Sequence, residues 1–204
     1  MVRTNIINAH SVYTFSDYFK LSNYTEELLM YFGYSWHRAE YNLPRSTMSL
    51  DRIEDFITRF KEPLPYLSLT NETVRREFLI APILVELIHY TQVKPKIEWP
   101  LIVNEQLKGT LDYYLESANN LLIIEAKNAD LESGFTQLAI ELIALAEWTE
   151  HTVPLLYGVV STGNIWQFGI LECVQKQITQ DLNLFRAPAD LEDLLRVMVA
   201  IIGK

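Results

Sequence analysis

LKGTLDYYLE at residues 107–116 and LLIIEAKNAD at residues 121–130 are the stretches whose reading decides the fold. The first alternates and is rich in Leu, Thr and Tyr, as a half-buried strand should be. The second opens with the apolar run Leu121 to Ile124, and Ser117-Ala118-Asn119-Asn120 between them is turn material. The pattern predicts a β-hairpin with Asp112 on one strand and Glu125 and Lys127 on the other. Side chains alternate along a strand, so Glu125 and Lys127 share a face and Ala126 takes the opposite one. Asp112 comes alongside them from the neighbouring strand. Two carboxylates converging on one point make a hard oxygen site suited to Mg²⁺ or Mn²⁺. A lysine beside such a site can orient a water or stabilise charge developing on a phosphate. An acidic-x-Lys tripeptide alone usually marks solvated charges at a strand end. The Gly-Thr-Leu-Asp strand at hairpin distance turns the reading towards a site.

Outward from the hairpin, Lys96 to Asn104 reads as a preceding strand, with a bend at Gln106 to Lys108. Asp130 is a helix cap for the stretch ending near Trp148, and LLYGVVSTGNIWQFGILE (155–172) reads as two strands turning at Gly163-Asn164. Upstream, Thr70 or Asn71 caps a helix towards Tyr90, with a kink expected at Pro82. Residues 1–69 are expected to be a helical N-terminal extension. In it Asn23 caps a helix ending at Gly33, and a second runs from Ile53 to Phe60. The core is expected over 70–204, closing in a C-terminal helix with Pro188 in its first turn. A helix between strands of one sheet favours a crossover unit, hence an α/β fold with a mixed central β-sheet flanked by helices.

At these residues the chain resembles the PD-(D/E)xK nuclease superfamily, over roughly residues 70 to 172. The family's second motif falls on Asp112, with Leu111 in place of its proline. The third falls on Glu125 and Lys127 after the apolar run Leu121 to Ile124. Gln137 sits where several branches carry a glutamine, and Glu141 stands where some carry a tyrosine. NETVRREFLIAPIL (71–84) resembles the first helix of type I restriction-enzyme R-subunit N-terminal domains. The resemblance implies a restriction-endonuclease-like fold and Mg²⁺-dependent (or Mn²⁺-dependent) hydrolysis of a phosphodiester, most often as a DNA endonuclease. Asp112, Glu125 and the Ala126 carbonyl would hold the metal. Lys127 would position the attacking water, and Gln137 would bond the water, a phosphate or the lysine.

A further acidic residue from the first helix often joins such sites. The resemblance points to Glu72. Helical geometry points to Glu77: at 100° per residue it falls within the arc of Val74, Phe78, Ala81, Leu84, Val85 and Ile88, while Glu72 and Glu86 fall opposite. A carboxylate on an apolar face needs a cation to justify its desolvation. Gln137 and Glu141 lie one turn apart on a shared face. A site role and a solvated stripe are evenly matched for Gln137, and the solvated stripe is favoured for Glu141. The four histidines show no metal-ligand spacing. The aromatic and basic residues between Tyr34 and Arg45 read as packing rather than base stacking.

With 49% hydrophobic residues, 204 residues suffice for a substantial core. The single cysteine, Cys173, excludes a disulfide framework and points to a reducing cytosol. MVRTNIINAHSVYTF lacks a signal-peptide core, and no apolar run approaches the roughly 20 residues of a membrane span. A cytoplasmic protein without membrane contact is expected. Its partner would be nucleic acid, with a homodimer or a partner subunit as possible company. The net charge of -9 runs against tight duplex binding by this chain alone. It supports the rival expectation, a catalytically weak or inactive nuclease-fold adaptor.

Overall fold

The computed structural model describes residues 6–8, 10–117, 120–127 and 129–203. Seven strands form one mixed sheet in the order β1-β7-β6-β5-β4-β3-β2. They are β1 (Ser35–Ala39), β2 (Lys96–Ile102), β3 (Lys108–Glu116), β4 (Leu121–Ala126), β5 (Leu155–Ser161), β6 (Ile165–Glu172) and β7 (Gln177–Arg186). β3 and β4 pair antiparallel, as the hairpin reading requires; Ala118 and Asn119 of its turn lie outside the described residues. β4 and β5 pair parallel, so the helix between them crosses over the sheet. The expected α/β fold with a mixed sheet flanked by helices is what the chain forms.

Two layers of helices cover the sheet. α1 (Phe15–Phe19), α2 (Thr25–Tyr31) and α6 (Leu131–Trp148) pack on one face with Leu121 and Ile123. α3 (Ile53–Lys61), α5 (Ala81–Thr91) and α7 (Leu191–Ile202) cover the other with Leu122 and Ile124. Alternate residues of β4 thus feed opposite cores, and a strand buried on both faces reads as an unbroken apolar run. α6 begins where the Asp130 carboxylate accepts the Ser133 N–H at 3.0 Å. It lies close to the sheet because Gly158 and Gly169 have no side chain: a Cβ there would come within 2.8 Å of Leu138 Cδ1 and Phe135 Cε2. α2 closes at Gly33, whose φ of 83° allows the Gly33 N–H to reach Met30 O and the Tyr34 N–H to reach Leu29 O.

The structure corrects several expectations. Residues 1–69 are not wholly helical, since Ser35–Ala39 adds a parallel edge strand to β7. Its polar sequence SWHRA, mostly exposed, carries no alternation, and only the partner 142 residues away makes it a strand. β7 follows the expected closing pair and was not anticipated, although QITQDLNLFR alternates. α7 starts at Leu191, with Pro188 before it rather than in its first turn.

The helix capped by Asn71 holds the most consequential difference. α4 (Glu72–Arg75) runs into a π turn, Arg76–Ile80, before α5. The ring of Pro82 clashes with the carbonyl four residues back and its nitrogen donates no hydrogen bond. The chain answers with a wide turn in which the Ala81 N–H reaches back to Arg76 O. The extra residue rotates all that follows by roughly 100° relative to an ideal wheel. Leu79, Ile80, Ile83, Leu84 and Leu87 face the core, while Phe78 and Val85 are exposed.

Candidate active site

The β3–β4 register pairs Tyr113 with Ile124 and Tyr114 with Ile123, which places Asp112 beside Glu125 one step further on. There a side chain replaces the backbone ladder: Asp112 Oδ2 accepts the Ala126 N–H at 2.8 Å. Beyond β4 the Lys127 N–H donates to Ser161 O at 2.7 Å, which keeps Lys127 in strand register. Glu125 and Lys127 therefore point to the α6 face, while Ala126 packs in the opposite core. Gly134, in the first turn of α6, makes room for the lysine, since a Cβ there would lie 2.8 Å from Lys127 Cγ.

Glu125 Oε1 sits 2.6 Å from Lys127 Nζ and accepts from Gln137 Nε2 at 2.6 Å. The same amide nitrogen donates to Glu141 Oε1 at 2.8 Å. Glu125, Gln137 and Glu141 are buried, whereas the Asp112 and Lys127 side chains remain 18% and 15% exposed and open the cluster to solvent. Burial, helped by the Asp112 charge and opposed by Lys127, pushes the Glu125 carboxyl up to about 7. Burial and then Glu125 raise Glu141 well above the ordinary carboxyl range. Burial also raises Asp112, against the Ala126 N–H and the Arg76 charge. For Lys127 burial opposes the charge, but Glu125 outweighs it and holds the ammonium above its ordinary value. Perturbation of several clustered groups in one cleft is a mark of functional sites.

Asp112, Glu125, Lys127, Gln137 and Glu72 all line one cleft of about 380 Å³, facing Thr14, Phe15 and Ser16 of the N-terminal segment. Glu72 is half-buried there, at the start of α4. Arg75 holds that end of the helix in place by donating to Thr162 O at 2.8 Å and Asn164 Oδ1 at 3.0 Å. Glu77, chosen by helical geometry, is exposed and does not line the cleft, because the π turn breaks the uniform rotation on which the choice depended. Glu86, set aside by the same wheel, is buried with Arg52 at 3.3 Å. The solvated stripe expected for Glu141 is also corrected: it is fully buried and bonded to Gln137, because α6 is covered on all sides along this stretch.

Two contributions escaped the sequence reading. Arg76, on the π turn, places NH1 3.7 Å from Asp112 Oδ1 and its guanidinium 5.4 Å from the Tyr113 ring centroid. The paired arginines after Glu72 were a local signal for it. Thr14 to Ser16 gave no signal, since nothing near them in sequence announces a partner nearly a hundred residues away.

Among the described residues no group of three or more His, Cys, Asp or Glu is arranged to hold a metal by itself. The donors present nonetheless suit a hard divalent cation. Asp112, Glu125 and the Ala126 carbonyl supply oxygens, and Glu125 Oε2 is buried without a hydrogen-bond partner. Mg²⁺ ordinarily keeps several waters and needs only one or two carboxylates. Comparison with protein-family models, with curated proteins and with solved structures finds no match for this chain.

Proposed function

We propose that the chain is a metal-dependent nuclease of the PD-(D/E)xK kind, hydrolysing DNA phosphodiesters at the Asp112–Glu125–Lys127 cluster. The observation that carries this reading is the buried Glu125 held at 2.6 Å by Lys127, with Asp112 beside it at a cleft. Asp112, Glu125 and the Ala126 carbonyl would hold Mg²⁺ or Mn²⁺. When bound, such an ion supplies Lewis-acid polarisation and an acidified water. The protein's own share is positional. Gln137 and Lys127 fix the Glu125 carboxylate, and the Ala126 N–H fixes Asp112. The Lys127 ammonium, kept charged, is available to orient a water or to face a developing phosphate charge. Glu72, at the cleft wall, is a candidate to bond a metal-held water.

A second reading, a nuclease-fold adaptor, draws on Arg76 standing beside Asp112 as a built-in cation and on the net charge of -9. Calorimetric titration of Mn²⁺, paired with cleavage of DNA, separates the two. The nuclease reading expects binding and cleavage in the native chain, and loss of cleavage by on the order of 10²-fold or more in Asp112→Asn and Lys127→Ala, both still folded. Full cleavage in both purified variants refutes it. Absence of metal binding, with and without a DNA ligand, favours the adaptor.

A further inference from the structure

The cleft before Asp112 is small and roofed. About 380 Å³ lies at the lower end of the range of about 300–1,000 Å³ for small-ligand clefts. Its roof is the start of α1, fastened at several points. Tyr18 OH donates to Gln106 O at 2.8 Å, and the Tyr13 N–H donates to Glu105 O at 2.9 Å. The Phe15 ring fills the space above Gly109, where a Cβ would come within 2.6 Å of it. Phe19 extends the roof over the Lys127 ammonium, 5.2 Å from its ring centroid.

A duplex is held mainly through its phosphates, of which a binding protein commonly neutralises about six to ten. The arginines of this chain are poorly placed for that. Seven of the eight described arginines already face a carboxylate, and Arg75 is engaged by Thr162 and Asn164. A single strand asks for less: a few phosphate contacts and aromatic faces on which bases stack. At the cleft Lys127 supplies one cation, with the half-buried Phe19 ring against it.

We infer that the substrate is an unpaired single strand of nucleic acid, lying in the cleft beside α1, rather than an intact duplex. The inference rests on the nuclease reading above. Strand pairing would bring a second backbone to a cleft with room for one, and unpairing it costs free energy that a free strand does not require.

The test uses one end-labelled oligothymidylate, either free or annealed to oligoadenylate, with the full chain and Mn²⁺. The free strand should be cut faster by on the order of tenfold or more, given the cost of unpairing. Ser16→Trp, which sets a large ring at the exposed rim of the cleft, should slow that cutting about tenfold with thermal unfolding unchanged. Equal or faster cutting of the annealed strand overturns the single-strand inference and leaves the nuclease reading standing. So does an unaltered rate in Ser16→Trp. No cutting of either form above an Asp112→Asn blank overturns both.

Discussion

Glu125→Gln should make this protein more stable at neutral and alkaline pH and, on the nuclease reading, abolish cleavage. The carboxyl is 2% exposed, and burial is the main reason its pKa rises from 4.5 to about 7. The native state therefore binds this proton more tightly than the unfolded chain does. The group's contribution is fully present below about pH 4.5 and is lost as pH rises through about 7. At about 1.4 kcal/mol per pH unit, the gap corresponds to about 3 kcal/mol of stability forgone when Glu125 is ionised. Glutamine keeps the shape and removes the ionisation, and Glu141 is relieved of a repulsive neighbour in the same step. Urea unfolding of both proteins, at intervals from about pH 4 to about pH 8, reads the difference directly. The two should be close in stability at the acid end, and the variant should lead by about 3 kcal/mol at the alkaline end. A difference that stays constant across the window, or a variant less stable at pH 8, would refute the claim that Glu125 is a desolvated carboxylate.

Two other substitutions probe the walls of the site. Gly134→Ala places a Cβ 2.6 Å from Val160 Cγ2 and 2.8 Å from Lys127 Cγ. Overpacking should outweigh the better helix propensity, at a net cost of about 1–2 kcal/mol in denaturant unfolding and, on the nuclease reading, with reduced cleavage from a displaced lysine. Asp130→Ala removes the cap of α6, with its bonds to Ser133 N–H and Oγ, and should cost about 1 kcal/mol at neutral pH. Bonds from Ser133 hold the Asp130 carboxyl below its ordinary value, so its stabilisation is present above about pH 4 and disappears on acidification. The gap between native protein and variant should close at low pH, and a gap that widens there contradicts the capping role.

Much of the site was legible because its parts are near one another in sequence. Asp112, Glu125 and Lys127 lie within one hairpin, so strand alternation and turn position suffice to bring them together. Gln137 follows on the next helix, whose start Asp130 announces. What failed was any inference that carried a regular wheel across an irregular backbone. Glu77 was favoured on the assumption of a uniform helix, and the π turn before Pro82 sent it to solvent and placed Leu79 and Ile80 inward. From Phe78 to Ile88 the residues are apolar almost all round, so periodicity had little contrast with which to choose a face.

The sequence by itself determined the elements whose partners are local: the β3–β4 hairpin, the capped crossover helix α6, the β5–β6 turn at Gly163, and the shared face of Glu125 and Lys127. Only the tertiary structure decided the parallel β1–β7 edge, the burial of Glu141 and the roofing of the cleft by Thr14 to Ser16. The reason is one of range. Turn chemistry, caps and alternation act over a few residues and are written in them, whereas strand addition at an edge and desolvation of a carboxylate depend on what packs from far along the chain.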